Sequence, residues 1–118
     1  MAVKDEVGRY GEDVAARHVE RQGWQVLARN WRCRHGELDM IAMDGTELVA
    51  VEVKTRRSAT FGTPAEAVTR QKVWRLRKLL AAWLRTQEER YASVRIDVVA
   101  VTMAQAGAPQ IEHVRGIQ

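Results

Sequence analysis

The run LVAVEVK at residues 48–54 constrains the fold of this chain more than any other segment. Apolar residues without strict alternation are typical of a central strand that is buried on both faces of a sheet. The end of this run is unusual for such a strand, because Glu52 and Lys54 are charged and a buried charge costs free energy unless it is paired. The run therefore predicts a sheet protein with a charged cluster at the end of a central strand.

A β-hairpin is predicted around this run. Residues 37–43 form one arm, residues 47–54 form the other, and the Asp-Gly pair at 44–45 is a strong two-residue turn signal because both residues tolerate a positive φ. The second arm then pairs with the first in a defined register.

That register decides which side chains share a face. With the Asp-Gly turn, Asp39 would lie opposite Ala50 and Glu37 opposite Glu52. Side chains alternate between the two faces of a strand, and directly paired residues point the same way. Glu37, Asp39, Glu52 and Lys54 would therefore project from one face of the sheet.

The rest of the chain alternates helical and strand patterns. A helix is predicted over residues 5–22, a strand over 24–31, and a long helix from the capping sequence TPAE at 63–66 to about residue 89, with a break near Thr69. Strands follow at 94–101 and, at the edge, at 111–117. The pattern predicts one α/β domain over residues 1–118, built as a mixed β-sheet flanked by helices.

Composition excludes several classes of protein. The chain has 118 residues, a net charge of +4 and 46% apolar residues, which suits one ordinary hydrophobic core. Its one cysteine, Cys33, excludes an internal disulfide and a thiolate zinc site, and is expected to be half-buried. The polar N-terminus and the absence of a long apolar run predict a cytoplasmic protein.

Other polar residues outside the cluster are interpreted as structural. Arg95 and Asp97 are two residues apart on a strand and are expected to pair. His18, His35 and His113 show no metal-ligand spacing and are taken as incidental, although His35 is close to the cluster in sequence.

Two interpretations of the charged cluster remain open. In one, Lys54 pairs with a carboxylate and the others are solvated, so that the cluster is only a salt-bridge network. In the other, the carboxylates hold Mg²⁺ or Mn²⁺, because hard oxygen ligands suit such ions. A lysine beside the ion would stabilise negative charge that develops on a phosphate during attack.

The spacing from Asp39 to Glu52-Val53-Lys54 resembles the signature of the PD-(D/E)xK nucleases, although Leu38 replaces the usual proline. Glu12 in Gly11-Glu12-Asp13 is similar to the glutamate on the first helix of resolvase-like members. Over most of its length the chain resembles the YraN family of small bacterial proteins. The matching stretches are GRYGEDVAARH, RNWRCRHGELDMIA, VAVEVKTRRSATFGTPAEAV, Lys72 and RIDVVAV.

The resemblance implies a restriction-endonuclease-like core related to Holliday-junction resolvases. It implies Glu12, Asp39, Glu52 and Lys54 as catalytic residues, and Asp39, Glu52 and Glu12 as ligands of Mg²⁺ or Mn²⁺. The function implied is metal-dependent hydrolysis of phosphodiester bonds in DNA, including branched DNA. For Glu37, a metal-ligand role and a structural role remain equally open.

DNA is the expected partner, a homodimer is a further expectation, and no membrane is expected. The candidate phosphate contacts are Arg56, Arg57, Arg70 and Lys72, and such contacts give salt-dependent, sequence-independent binding. The basic loop could instead be merely solvated. Trp31 and Trp74 could stack on bases, but packing in the core or at an edge is the favoured interpretation. The alternatives to a nuclease are a nucleic-acid-binding or adaptor domain with little hydrolysis, and a protein–protein scaffold.

Overall fold

The computed structural model describes residues 5–57, 68–104 and 106–118. Two helices and five strands follow one another as α1 (Asp5–Arg21), β1 (Gln25–Cys33), β2 (Gly36–Asp44), β3 (Glu47–Arg56), α2 (Arg70–Leu84), β4 (Ser93–Thr102) and β5 (Gln110–Val114). The strands form one sheet in the order β1-β2-β3-β4-β5, in which β3 and β4 are parallel and the other neighbours antiparallel. The prediction of an α/β fold with a mixed sheet flanked by helices is confirmed, and the architecture is compatible with a restriction-endonuclease-like fold.

The two helices pack on opposite faces of the sheet. On β3, Val49 and Val51 belong to the core cluster that contains α1, whereas Leu48 and Ala50 belong to the cluster that contains α2. Since neighbouring residues of a strand point to opposite faces, the central strand is covered on both sides. This confirms the interpretation of the run at 48–54 as a doubly buried strand.

Most predicted element boundaries differ from the structure by one or two residues, but α2 differs more. It begins after Thr69, whose side chain accepts a hydrogen bond from the Lys72 N–H at 3.1 Å, as expected of an N-cap. It ends at Leu84 and not near residue 89. At this end of the helix, the Thr86 hydroxyl donates a hydrogen bond to the Trp83 carbonyl at 2.6 Å. The helix start predicted at 63–66 lies outside the described residues.

The predicted register of the β2–β3 hairpin is wrong by two residues. Asp44 pairs with Glu47, so that the turn residues are Gly45 and Thr46, and Ala50 lies opposite Ile41. Gly45 has a φ of +62°, the left-handed conformation that the first position of a type II′ turn requires.

A shift of two residues does not by itself change the faces, because the alternation has a period of two. The alternation of β2 is nevertheless interrupted beside Asp39, since Leu38 belongs to the core cluster on the α2 side and Met40 to the cluster on the α1 side. The single face predicted for Glu37, Asp39, Glu52 and Lys54 therefore does not follow from the register.

A hydrogen-bonded network surrounds Asp97, whose side chain is fully buried on β4. The predicted pair with Arg95 is present, with Nε–Oδ1 at 2.9 Å, and the carboxylate also accepts bonds from the Gly116 N–H and pairs with His113 Nε2, each at 2.9 Å. Burial alone would raise the pKa of Asp97, but the bonds from His113, Arg95 and Gly116 outweigh it and lower that pKa. Asp97 is therefore held as a charged, fully paired group.

The interpretation of His18 and His113 as incidental is wrong, because both belong to this network. His113 Nδ1 lies 3.1 Å from His18 Nε2, and the His113 ring also packs edge-on against Trp24. The network therefore links α1, β4 and β5.

Neither helix has the length and apolar character needed to span a membrane.

We expect Asp97→Asn to lower the free energy of unfolding by about 2–3 kcal/mol at pH 7, because charge-assisted bonds are lost inside the protein. Folding lowers the pKa of Asp97, so its contribution is present above the unfolded-state pKa of about 4 and is lost as the pH falls through the folded-state value. The deficit should therefore shrink below about pH 4. Urea unfolding between pH 7 and pH 3 measures it.

The matched control is Val94→Ala, an exposed position on the same strand. It should change stability by less than about 0.5 kcal/mol at every pH. A deficit in Asp97→Asn that is the same at pH 7 and pH 3 would contradict a charged Asp97.

Candidate functional site

The β2 and β3 strands stop pairing just where the predicted cluster begins. Their described pairing ends at Met40 and Val51. One residue further along β3 from Glu52, the Val53 N–H donates to Asp39 Oδ2 at 2.9 Å, so that a side-chain carboxylate takes a position that a main-chain carbonyl has in a regular ladder. The Asp39 carboxylate therefore lies at the gap where the two strands part.

Glu52 is a buried carboxylate with two lysines beside it. Its residue is 6% exposed, and the Nζ atoms of Lys54 and Lys72 each lie 3.5 Å from its Oε2. Lys72 belongs to the first turn of α2, so Glu52 lies beside the N-terminal end of that helix. The two ammonium groups supply the compensation that burying this carboxylate demands.

An open groove with a volume of about 420 Å³ lies beside Asp39 and Lys54. Glu12 reaches it from α1 and Arg57 from the segment after β3. Its lining is completed by Val7, Gly8, Val53 and Thr55. Acidic and basic side chains therefore line the same open space, which a ligand can enter.

Gly11 lets α1 lie close enough to β3 to bring Glu12 to this groove. A Cβ built at Gly11 would overlap the Thr55 side chain and come within 2.9 Å of the Thr55 Cβ atom. Only glycine therefore fits at this helix position without movement of α1 or of the strand.

Burial and like charges together raise the pKa of Asp39. Burial and the neighbouring Glu52 raise the pKa of Asp39 to about 7, with smaller contributions from Glu12 and Glu37, against the lowering effect of the Val53 N–H. Burial also raises the pKa of Glu12. Such a group is neutralised by a proton, or it attracts a cation.

The structure brings together most of the residues predicted for the site. Glu12, Asp39, Glu52 and Lys54 gather around the gap and its groove. Burial contributes most to the raised pKa of Asp39, and Glu52, Glu12 and Glu37 are close enough to raise it further. Glu37 also lies 3.5 Å from Arg32.

The predicted phosphate contacts are divided. Arg57 lines the groove, and Lys72 contacts the Glu52 carboxylate. Arg70 is exposed at the first residue of α2, and Arg56 ends β3 outside the groove lining.

Asn30 is a site residue that the sequence interpretation missed. It has a φ of +54°, rare for a residue with a Cβ, and its side chain hydrogen-bonds Glu12 and lowers the pKa of that carboxyl group. Asparagine is one of the residues that adopt this conformation most readily, and it is disfavoured in regular strands. An asparagine inside a strand pattern was the only signal available.

The donor set fits a cation held by few protein ligands. Within the described ranges, no three histidine, cysteine, aspartate or glutamate side chains meet in a geometry that would hold a metal ion. Mg²⁺ usually takes only one or two carboxylates from a protein and keeps several waters. Asp39 and Glu52, whose negative charges oppose each other in a partly buried place, supply that number.

Comparison with known proteins places this site in a family. Residues 11–101 match the model of the uncharacterised protein family UPF0102. The chain belongs to this family. The UPF0102 protein of Beutenbergia cavernae is 56% identical over 117 residues, and that of Arthrobacter sp. (strain FB24) is 50% identical over 117 residues, in both cases across 99% of each chain. The predicted membership of this YraN-type family is confirmed.

We expect Asp39→Asn to raise the stability of the metal-free protein at high pH. Folding raises the pKa of Asp39, so the stability linked to its protonation is present below the unfolded-state pKa and is lost as the pH rises through about 7. Asparagine stays neutral and keeps an acceptor for the Val53 N–H. At pH 8.5, in EDTA, the variant should gain at least about 1 kcal/mol over wild type, and at pH 4 almost nothing.

Thermal unfolding at both pH values measures this difference. Asp13→Asn, which changes an exposed carboxylate beside Arg29, is the control and should alter stability little at either pH. If Asp39→Asn were no more stable than wild type at pH 8.5, Asp39 would not be crowded by negative charge.

Proposed function

We propose that this protein is a metal-dependent nuclease of the PD-(D/E)xK superfamily that hydrolyses phosphodiester bonds of DNA, with branched DNA among its substrates. The observation that carries the proposal is the meeting of the Asp39 and Glu52 carboxylates where β2 and β3 part, with Lys54 beside them at an open groove. Two carboxylates and a lysine at one accessible place are the groups that such hydrolysis needs.

Asp39 and Glu52 would hold Mg²⁺ or Mn²⁺, and Glu12 would add negative charge from α1. The ion, when bound, would polarise a phosphate oxygen and lower the pKa of a water molecule. Asp39 fits this role because binding a cation relieves the repulsion that now raises its pKa.

The lysines have separate tasks in this proposal. Lys54 lies both beside Glu52 and in the groove, so its ammonium group can approach the phosphate oxygens as negative charge builds up on them. Lys72 lies 3.5 Å from the same carboxylate oxygen and would hold Glu52 in place from α2. Arg57, in the groove lining, would contact a neighbouring phosphate.

A binding or adaptor domain without hydrolysis is the second candidate. Two contacts favour it, because Lys54 and Lys72 already neutralise Glu52 and so reduce the negative charge available to a metal ion. In that case the groove would bind DNA without cutting it. Metal binding separates the two candidates.

The first test of this function is calorimetric titration of Mn²⁺ into wild type. A site containing Asp39 should bind the ion and, near pH 7, release protons, because the carboxyl group is partly protonated beforehand. Titrations in buffers of different ionisation enthalpy count those protons. Asp39→Asn should lose metal binding and cleavage of a labelled four-way junction together.

Lys54→Ala tests the role of the lysine. It should bind Mn²⁺ nearly as wild type does and still lose about 10²–10³ in cleavage rate, because the charge that Lys54 stabilises is greatest in the transition state. Asp13→Asn serves as the control and should match wild type in both assays. A wild-type protein that bound no metal and cut none of linear, flapped and four-way DNA would exclude the nuclease in favour of the binding domain.

We expect Arg57→Ala to weaken DNA binding equally for all sequences. Loss of one phosphate contact should lower the slope of log affinity against log salt by about 1. Fluorescence anisotropy in EDTA, over a range of salt concentrations, measures both quantities. The control is Arg17→Ala on the exposed side of α1, and equal slopes in the two variants would place the DNA surface elsewhere.

A further inference from the structure

Trp74 lies on the outward face of α2 and is 60% exposed. The expectation that it packs in the core or at an edge is therefore wrong, whereas Trp31 does pack, half-buried, against the core cluster on the α2 side. The difference follows from helical periodicity, because Trp74 lies opposite the buried positions of α2. These positions are Val73, Leu76, Leu79, Leu80 and Trp83.

The same outward face is strongly basic. Trp74, Lys78, Ala81 and Arg85 follow one another at helical spacing, and the helix contains no aspartate or glutamate. The exposed cations along α2 and its C-cap are Arg70, Arg75, Arg77, Lys78 and Arg85. They span about 22 Å of helix axis, which is the length of several nucleotides.

A shallow groove with a volume of about 470 Å³ runs between this face and His35 in the β1–β2 turn. Trp74 and Lys78 form one side of it, and the small residues Ala81 and Ala82 leave it open further along the helix. An aromatic ring, cations and space therefore occur together on one exposed surface.

We propose that the outward face of α2 binds an unpaired strand of DNA, with one base stacked on the indole ring of Trp74 and the flanking phosphates on the arginines and Lys78. The proposal rests on DNA as the substrate in the function above, and adds which part of that DNA this surface takes. An indole can stack with an unpaired base but not with one held inside a duplex, whereas the cations alone would bind any DNA.

Lys78 does not prevent this stacking. Its Nζ lies 4.1 Å from the centroid of the Trp74 ring, as a cation–π contact. At an exposed site such a contact is worth about 2- to 5-fold in an equilibrium, whereas stacking of one base is worth about 5- to 150-fold in affinity. The base therefore displaces the ammonium group, which is then available to a phosphate.

The position of Trp74 connects this surface with the candidate active site. Lys72, whose ammonium group contacts Glu52, is two residues earlier and about 3 Å along the helix axis. The two residues point to opposite sides of the helix, so a strand on the outward face of α2 would lie roughly one helix diameter, about 10 Å, from the cluster. DNA with unpaired nucleotides near a junction can span that distance and is the class that fits both surfaces.

The test compares three probes in EDTA: a twelve-residue thymidine oligonucleotide, a blunt duplex, and the same duplex with a single-stranded overhang. Trp74→Leu should bind the oligonucleotide and the overhang about 5- to 150-fold more weakly than wild type, and the blunt duplex within about twofold. Trp74→Phe keeps an aromatic ring and should restore most of the loss. Val94→Ala, the other exposed large apolar position in the described residues, is the matched control and should bind as wild type does.

Intrinsic fluorescence gives a second readout that a purely structural role would not change. The oligonucleotide should quench the emission of wild type by stacking on Trp74, and should leave the emission of Trp74→Phe unchanged, since the other three tryptophans are buried or half-buried. Equal binding of the oligonucleotide by wild type and Trp74→Leu would overturn the proposal. The proposal would also be overturned if Trp74→Leu lost the same affinity for the blunt duplex as for the oligonucleotide. Quenching by anionic vesicles but not by the oligonucleotide would overturn it as well.

Because these measurements exclude metal, they are independent of cleavage. Trp74-dependent binding by a protein that cuts nothing would sustain this inference and remove the nuclease. If the protein cleaves DNA but substitutions of Trp74 do not change its binding of the oligonucleotide, the nuclease is supported and this inference is overturned.

Discussion

A carboxylate at the end of a strand that is buried on both faces needs charged partners, and Glu52 is such a carboxylate. Lys54 reaches it from the same strand, and Lys72 reaches it from α2. The first turn of α2 must therefore lie against the end of β3, which sets where that helix crosses the sheet. Removing either lysine would leave a buried charge partly uncompensated, which costs far more than losing an exposed ion pair.

The buried Asp97 and the half-buried Asp39 show how a carboxyl group with a structural role differs from one with a chemical role. Asp97 is surrounded by donors from β4, from β5 and from the segment after β5, and its pKa is lowered. Asp39 has one main-chain donor and three acidic neighbours, and its pKa is raised to about 7. The first group is already satisfied by the protein. The second has a raised pKa beside an open groove, which is the arrangement that functional sites often show.

The sequence was sufficient for features that depend on pattern, and insufficient for those that depend on three-dimensional approach. A continuous apolar run predicted the doubly buried β3. Strict alternation would have put Leu38 and Met40 on one face, whereas the structure places them in different core clusters. Lys72 could not be placed, since its reach to Glu52 depends on where α2 crosses the sheet. The left-handed conformation of Asn30 likewise depends on how α1 and the strands meet, which local composition does not encode. The exposure of Trp74, in contrast, follows from the helical periodicity of α2 and could have been predicted from the sequence.

The network around Asp97 has a consequence for how the protein is made. Asp97 leaves the ribosome before His113 and Gly116, which supply two of its partners. Until those residues emerge, the carboxylate can be buried in the nascent sheet only at the cost of missing hydrogen bonds. The sheet core around β3 and β4 is therefore expected to remain incomplete during synthesis, and to close only when β5 and the residues after it are added beside β4.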